Sequence, residues 1–186
     1  VMMKYYGIPK AEATDRYRST TGLPYEQQIK INFPEHPKND DAIEEFEKMK
    51  IDRIFEQDLF EDSMRTVEEL EKRGIQVFVS SSTFQSTIEE YFRRRGILES
   101  FVAILGYRPG FEKGADHFNY IHNNYRIPFQ EMIFVGDSLK DFERSQNFCT
   151  FIALSGMFTP EDFIRKGHSG FVIHKLSEIT AYITRV

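Results

Sequence analysis

The 186-residue sequence contains no tryptophan, only one cysteine and no long apolar run. Its longest apolar stretches span about five residues, whereas a membrane-spanning helix needs roughly 20. A single cysteine, Cys149, excludes an internal disulfide framework and is typical of a reducing compartment. The first residues do not resemble a signal peptide, so we expect a cytoplasmic protein with no membrane partner.

The sequence also lacks an excess of positive charge. It has 24 Lys and Arg against 29 Asp and Glu, a formal net charge of −5, which argues against a nucleic-acid partner. The composition is 40% hydrophobic and includes 18 Phe and 9 Tyr, which is typical of a globular protein. We therefore expect a small-molecule partner, and the sequence leaves the oligomeric state open.

Apolar spacing predicts two domains. Residues 1–60 show helical periodicity over 11–19, 25–33 and 41–57 and no convincing strand, which predicts a small helical domain. Residues 61–186 alternate predicted strands with helices, which predicts an α/β fold with a Rossmann-like parallel sheet flanked by helices. The predicted strands cover 76–80, 101–105, 132–135, 150–154 and 170–173.

Two aspartates follow the predicted strand 132–135. Asp137 comes directly after Gly136, and Asp141 falls in the first turn of the next predicted helix. Carboxylates at the carboxyl end of a buried strand suit Mg²⁺, which takes one or two protein carboxylates and leaves other positions for water and phosphate. The alternative is a helix cap, because Ser138 and Asp141 have the spacing of a capping box.

Two further polar positions suit an anion. Ser80 ends the predicted strand 76–80, and its hydroxyl with the backbone amides after it could bind phosphate. The alternative is again a capping box, from Ser82 to Gln85. Lys113 precedes a predicted helix, where a positive charge is unfavourable for the helix dipole unless an acid or an anionic ligand accompanies it.

The order of these residues resembles the haloacid dehalogenase-like superfamily, chiefly phosphohydrolases. The resemblance covers most of residues 62–156, through Ser80, Lys113 and the Gly-Asp-x-x-x-Asp pattern that contains Asp137 and Asp141. Residues 1–60 are similar to the helical cap of the phosphoglycolate phosphatase-like branch.

The resemblance implies a role for each position. It assigns phosphoryl binding to the Ser80 hydroxyl and the Ser81 amide, charge neutralisation to Lys113, and Mg²⁺ binding to Asp137 and Asp141. Many relatives have proline after this lysine, and we expect little consequence from Gly114 because glycine also permits a tight helix start.

The family's first motif, Asp-x-Asp, occurs nowhere in the 186 residues. Its first aspartate is the nucleophile in the family and its second is the general acid and base. Since the strand that carries it lies between the strands that lead to Ser80 and to Asp137, its loss would leave a gap in the sheet. The chain begins with Val1, so we expect this strand upstream and expect the chain to be inactive without it.

These observations predict a Mg²⁺-dependent phosphatase that acts on a small phosphorylated metabolite, a phosphate monoester, through an aspartyl-phosphate. Alternatives are a phosphomutase or dehalogenase on the same scaffold, an inactive phosphometabolite-binding protein, or an unrelated receiver-like or nucleotide-binding domain. In the cap the resemblance implies a substrate loop at Arg18, Thr20 and Thr21, which could equally be an ordinary turn. The spacing of His117 and His122 argues against zinc.

Overall fold

Helices alone build the first part of the chain, whereas helices alternate with parallel strands in the rest. The structure is a computed structural model that describes residues 1–183. The chain divides into a helical unit, residues 1–58, and an α/β unit that begins at Leu59.

The helical unit contains one helix more than the sequence predicts, since Met2–Tyr6 also forms a short helix. Tyr25 and Ile29 are buried in its core, where the Tyr25 ring stacks on Phe46 with 3.5 Å between ring centroids. Its helices are α1 (Met2–Tyr6), α2 (Lys10–Thr20), α3 (Tyr25–Asn32) and α4 (Asn39–Ile54).

The α/β unit follows the predicted alternation. Three short 3-10 helices, Leu98–Ser100, Phe129–Glu131 and Leu176–Glu178, lie between its main elements. Those elements are α5 (Ser63–Lys72), β1 (Phe78–Phe84), α6 (Gln85–Arg94), β2 (Ala103–Tyr107), α7 (Ala115–Tyr125), β3 (Ile133–Gly136), α8 (Leu139–Ser145), β4 (Thr150–Leu154), α9 (Pro160–Arg165), β5 (Val172–Ile173) and α10 (Ile179–Ile183).

Within the described residues the strands form two separate parallel sheets. One pairs β1 with β2, and the other has the order β3-β4-β5. The predicted α/β class with parallel strands flanked by helices is confirmed. Among the described residues β1, which contains Ser80, pairs only with β2, and β3, which precedes Asp137, pairs only with β4.

Phenylalanine fills much of the α/β core, which explains how the chain packs without tryptophan. Phe118, Phe134, Phe142, Phe151 and Phe163 belong to one buried cluster beside the three-stranded sheet. Cys149 packs against the same cluster, and burial raises the pKa of its thiol to about 12. Over residues 1–183 no helix is both long enough and apolar enough to cross a bilayer.

Candidate functional site

The carboxylate of Asp141 is buried but does not cap a helix. Asp141 is 1% exposed, and its backbone N–H donates to Ser138 Oγ at 3.0 Å, which is half of a capping box. Within the described residues neither of its carboxylate oxygens has a hydrogen bond. The start of α9 shows the complete motif, because Asp162 Oδ2 accepts from the Thr159 N–H at 3.0 Å. The capping alternative therefore explains Ser138 but leaves the buried carboxylate of Asp141 unexplained.

Lys113 supplies the charge that faces this carboxylate. Its Nζ lies 2.8 Å from Asp141 Oδ1, and the two side chains are 14% and 1% exposed. The distance is that of a hydrogen bond but the angles are not, so the contact is an ion pair that leaves Asp141 Oδ2 without a partner among residues 1–183. Because both charges are largely removed from water, removing either would strand the other.

Gly136 provides the space that Asp141 occupies. A Cβ at position 136 would lie 2.6 Å from the Cβ of Asp141 and 2.9 Å from its Oδ2. Real Cβ atoms do not approach that closely, so any larger residue at the end of β3 would push the carboxylate away. The packing of Asp141 therefore requires glycine at position 136.

Gly114 starts α7 in a conformation that proline cannot adopt. Its φ is +115°, whereas the proline ring fixes φ near −65°. The aliphatic part of Arg144 packs on its open face, with Cγ and Cδ 3.1 Å from where a Cβ would be. Gly114 thus starts the helix with a backbone that favours glycine, and the expectation that its replacement of proline has little consequence stays a prediction.

Asp137 is exposed although it follows a buried strand, so burial of its carboxylate does not by itself require a cation. It follows β3 and lines a cleft of about 530 Å³ at the carboxyl ends of β3, β4 and β5. Ligands of parallel α/β sheets bind at such ends. The cleft includes Asp137 but not Ser80, Lys113 or Asp141, and its other lining residues include Asp62, Arg65, Ser155, His174 and Lys175.

Ser80 lies inside β1 instead of at its end. The regular register with β2 pairs Ser80 with Leu105 and then shifts before Phe84, and α6 begins only at Gln85. The predicted helix start directly after Ser80 and the capping box from Ser82 to Gln85 are therefore wrong, whereas phosphate binding by Ser80 and Ser81 stays a prediction. Ser81 also belongs to the strand.

The reason for the longer strand is the side chain of Gln85. Its amide donates to the Ile104 carbonyl at 2.7 Å, and its Oε1 accepts from the Gly106 N–H at 2.6 Å. These bonds tie the chain to β2 up to the first residue of α6. A capping pattern in the sequence does not reveal them, because Gln85 bonds across the sheet instead of back to Ser82.

His117 is the partner of Ser80, and it was missed as a site residue in the sequence. Its Nδ1 lies 2.8 Å from Ser80 Oγ, its Nε2 lies 3.3 Å from the Gly106 carbonyl oxygen, and the side chain is fully buried. Burial lowers the pKa of His117 to about 4, with the positive charge of Lys113 acting in the same direction. Its spacing of four residues after Lys113 gives no signal, because Lys113 lies outside α7 and the helical i,i+4 rule does not apply.

The predicted substrate residues of the helical unit lie at the end of α2. Thr20 is buried, and its hydroxyl contacts the Arg16 carbonyl at 2.9 Å and the Gln28 side chain at 3.2 Å, which gives it a structural role. Thr21 donates to the Tyr17 carbonyl at 2.9 Å. Arg18 and Thr21 are half-buried.

The acids fit Mg²⁺ in chemistry. Among residues 1–183 the two oxygens of Asp141 are buried without hydrogen bonds, Lys113 lies at Oδ1, and Oδ2 could bind a cation. Asp137 follows in the same turn with an exposed carboxylate. Within residues 1–183 no group of three or more His, Cys, Asp or Glu could enclose a metal, so an ion here would need water or other ligands, as Mg²⁺ commonly does.

Comparison with solved structures supports the fold. A haloacid dehalogenase-like family hydrolase from Streptococcus pneumoniae aligns with a TM-score of 0.79 at 20% identity, over 98% of this chain and 86% of that one. A predicted phosphatase from Clostridium acetobutylicum gives 0.78 at 16% identity, over 99% and 87%. A predicted phosphoglycolate phosphatase from Haemophilus somnus gives 0.74 at 14% identity, over 97% and 86%.

The fold thus defines a Rossmann-like α/β protein of the kind found in these hydrolases. The sequence model of the haloacid dehalogenase-like hydrolases matches residues 2–154, and the chain belongs to that family. The predicted family is confirmed. No curated protein matches the sequence.

Proposed function

We propose that this protein is the main part of a Mg²⁺-dependent phosphatase that hydrolyses a small phosphate monoester. The observation that carries the proposal is the desolvated pair of Lys113 and Asp141, 2.8 Å apart, in a turn that also contains Asp137. A fold does not need such a pair for stability, because apolar residues of similar size often serve as well. A site that must bind a metal and a phosphate does need both charges.

In this proposal Asp137 and Asp141 hold Mg²⁺, and the ion supplies positive charge to the phosphoryl oxygens. Lys113 offsets phosphate charge beside it, while the Ser80 hydroxyl and the Ser81 amide orient the phosphoryl group. The helical unit acts as a cap that excludes water, and Arg18 and Thr21 contribute to substrate selection there. The substrate is a small phosphorylated metabolite, and the lone thiol favours a cytoplasmic location.

The nucleophile is proposed to be an aspartate of an Asp-x-Asp motif on a strand encoded upstream of Val1. The split between the sheets supports this proposal, because β1 and β3 each lack one neighbour among the described strands. A parallel strand inserted between them would pair both edges and bring its carboxyl end to the side where Ser80 and Asp137 lie. Backbone groups left unpaired and buried cost about 1–3 kcal/mol each, so the inserted strand would also stabilise the unit.

A second candidate is a phosphometabolite-binding protein without catalysis. The complete lack of Asp-x-Asp in these 186 residues favours it for the chain as it stands. Both candidates require phosphate to bind at Ser80 and Lys113, and they differ only in whether a covalent bond to phosphorus forms.

Mg²⁺-dependent phosphate release from an aryl phosphate tests the proposal. The assay compares the 186-residue chain with the same chain preceded by about 30 residues encoded before Val1. We expect release only from the longer protein, and loss of that release in Asp137→Asn but not in the control Asp52→Asn, an exposed acid of α4. Equal rates in the longer protein and its Asp137→Asn variant would refute the site, and an upstream sequence without Asp-x-Asp would favour the binding protein.

A further inference from the structure

The Ser80 hydroxyl has only one proton, and the contacts of His117 indicate where that proton points. A carbonyl oxygen can only accept, so the contact of 3.3 Å between His117 Nε2 and the Gly106 carbonyl requires a proton on Nε2. His117 is fully buried and neutral at ordinary pH. A neutral imidazole with a proton on Nε2 has a lone pair on Nδ1, and Ser80 must therefore donate its proton to Nδ1 across 2.8 Å.

This arrangement conflicts with binding an oxyanion through the same hydroxyl. While Ser80 donates its hydrogen bond to His117, it presents only oxygen lone pairs to the site, and these repel a phosphate oxygen. If Ser80 turns its proton toward phosphate, Nδ1 loses its partner inside a fully buried environment. Protonation of His117 would restore a donor, but burial and the nearby charge of Lys113 both oppose it.

We propose that His117 is a positioning residue that competes with phosphate for the Ser80 proton. The inference rests on the proposed function, which makes Ser80 a phosphate ligand. In the free protein the Ser80 hydroxyl donates its hydrogen bond to His117 Nδ1, and in the bound state it donates to a phosphate oxygen instead. Each binding event therefore breaks one buried hydrogen bond, which weakens the hold on inorganic phosphate, the product of the proposed reaction.

The surroundings of His117 fit a rigid acceptor. Gly106 is held by the Gln85 side chain at 2.6 Å, so the carbonyl that selects the protonated nitrogen is itself fixed. The Phe111 ring packs on the imidazole with 4.7 Å between ring centroids. These contacts keep the ring from flipping to present Nε2 to Ser80.

Nitrogen NMR of the 186-residue chain labelled with ¹⁵N-histidine tests the proposal in two stages. In the free protein we expect His117 to have a protonated Nε2 and an unprotonated Nδ1 whose resonance moves in Ser80→Ala. Titration with inorganic phosphate and Mg²⁺ should then move the wild-type Nδ1 resonance toward its position in Ser80→Ala. A proton on Nδ1 in the free protein, or an unchanged resonance while calorimetry records binding, would overturn the proposal.

Calorimetry with inorganic phosphate is a second test, in which loss of a side chain should strengthen binding. His117→Phe removes the competing acceptor, so we expect it to bind phosphate about two- to tenfold more tightly than wild type. The control is His122→Phe, because His122 also lies on α7 and bonds a backbone carbonyl, at 2.9 Å from Ile127, but does not contact Ser80. A purely structural role for His117 predicts weaker binding, which would contradict the proposal.

The two proposals fail in different ways. If neither wild type nor Lys113→Met binds phosphate, the proposed function is refuted for this chain, and the resonances of the free protein still decide whether His117 holds the Ser80 proton. If wild type binds phosphate and Lys113→Met does not, the proposed function stands. The effect of phosphate on Nδ1 then decides the competition.

Discussion

The two sheets of the α/β unit carry polar groups of different kinds. At β1 the polar group is Ser80, held by one neutral hydrogen bond to His117. Near β3 the polar groups are charged, and the buried carboxylate of Asp141 depends on the ammonium of Lys113. A neutral hydrogen bond can be exchanged for another at small cost, whereas a buried ion pair cannot lose one member without a large penalty. Ser80 in β1 can therefore exchange its hydrogen bond when a ligand binds, whereas Lys113 and Asp141 near β3 supply charge that does not change.

The largest change in stability should come from removing one member of the ion pair between Lys113 and Asp141. We expect Lys113→Met to lower the free energy of unfolding by about 3–5 kcal/mol, because Asp141 stays buried without its contact at 2.8 Å and keeps only the electrostatic attraction of Arg144. Urea denaturation measures the change.

The double variant Lys113→Met/Asp141→Leu is the control. It removes both charges and fills similar volume, so we expect its stability to lie much closer to wild type than that of Lys113→Met. If the double variant is as unstable as the single one, the loss does not come from the unpaired carboxylate.

The neutral hydrogen bond between Ser80 and His117 should make the stability of the protein depend on pH. The pKa of His117 is about 4 in the folded chain and 6.5 in its ordinary state, so between these values the unfolded chain binds more protons. Stability contributed by neutral His117 is complete above pH 6.5 and is lost as the pH falls toward 4, by about 3 kcal/mol in all.

His117→Phe should lack this dependence. Denaturation of wild type and variant at several pH values measures the difference, which isolates His117 from other titrating groups. His122→Phe should keep the dependence of wild type. A constant difference between wild type and His117→Phe from pH 7 to 4 would mean that His117 does not titrate in this window.

Glycine tests how tightly the charged side is packed. We expect Gly136→Ala to destabilise the protein by about 1–3 kcal/mol, because its Cβ would lie 2.6 Å from that of Asp141. The control is Gly156→Ala, where an added Cβ meets nothing within 4 Å and the change should be small. Thermal denaturation of both variants compares them, and similar melting temperatures would contradict the packing argument.

The alternation of elements could be predicted from sequence because each element carries its own local pattern. The structure has β4 at Thr150–Leu154, as predicted. The end of β1 could not be predicted, because it depends on Gln85 bonding to a neighbouring strand. The helix over 2–6 was missed because five residues are too short for a periodic signal.

The residues of the candidate site that form a pattern along the chain could be proposed from the sequence. Ser80, Lys113, Asp137 and Asp141 occur in a recognisable order. His117 is recognisable only in three dimensions, since its role comes from bonds to Ser80 and Gly106 on two different strands. The sequence also does not reveal that the turn after Gly136 exposes Asp137 and buries Asp141.

The smallest change in stability should come from breaking a solvent-exposed ion pair on α8, the helix that also contains Asp141. Lys140 Nζ lies 2.7 Å from Glu143 Oε2, but their side chains are 41% and 34% exposed, and Lys166 contacts the same carboxylate at 2.7 Å. We expect Lys140→Met to change the free energy of unfolding by less than about 1 kcal/mol, since water and Lys166 compensate Glu143. Urea denaturation at low salt and in 1 M NaCl compares it with Lys113→Met. Salt should abolish the small effect of Lys140→Met and leave most of the effect of Lys113→Met, because only the exposed pair is screened. Equal effects of salt on the two variants would mean that the pair of Lys113 and Asp141 is accessible to solvent.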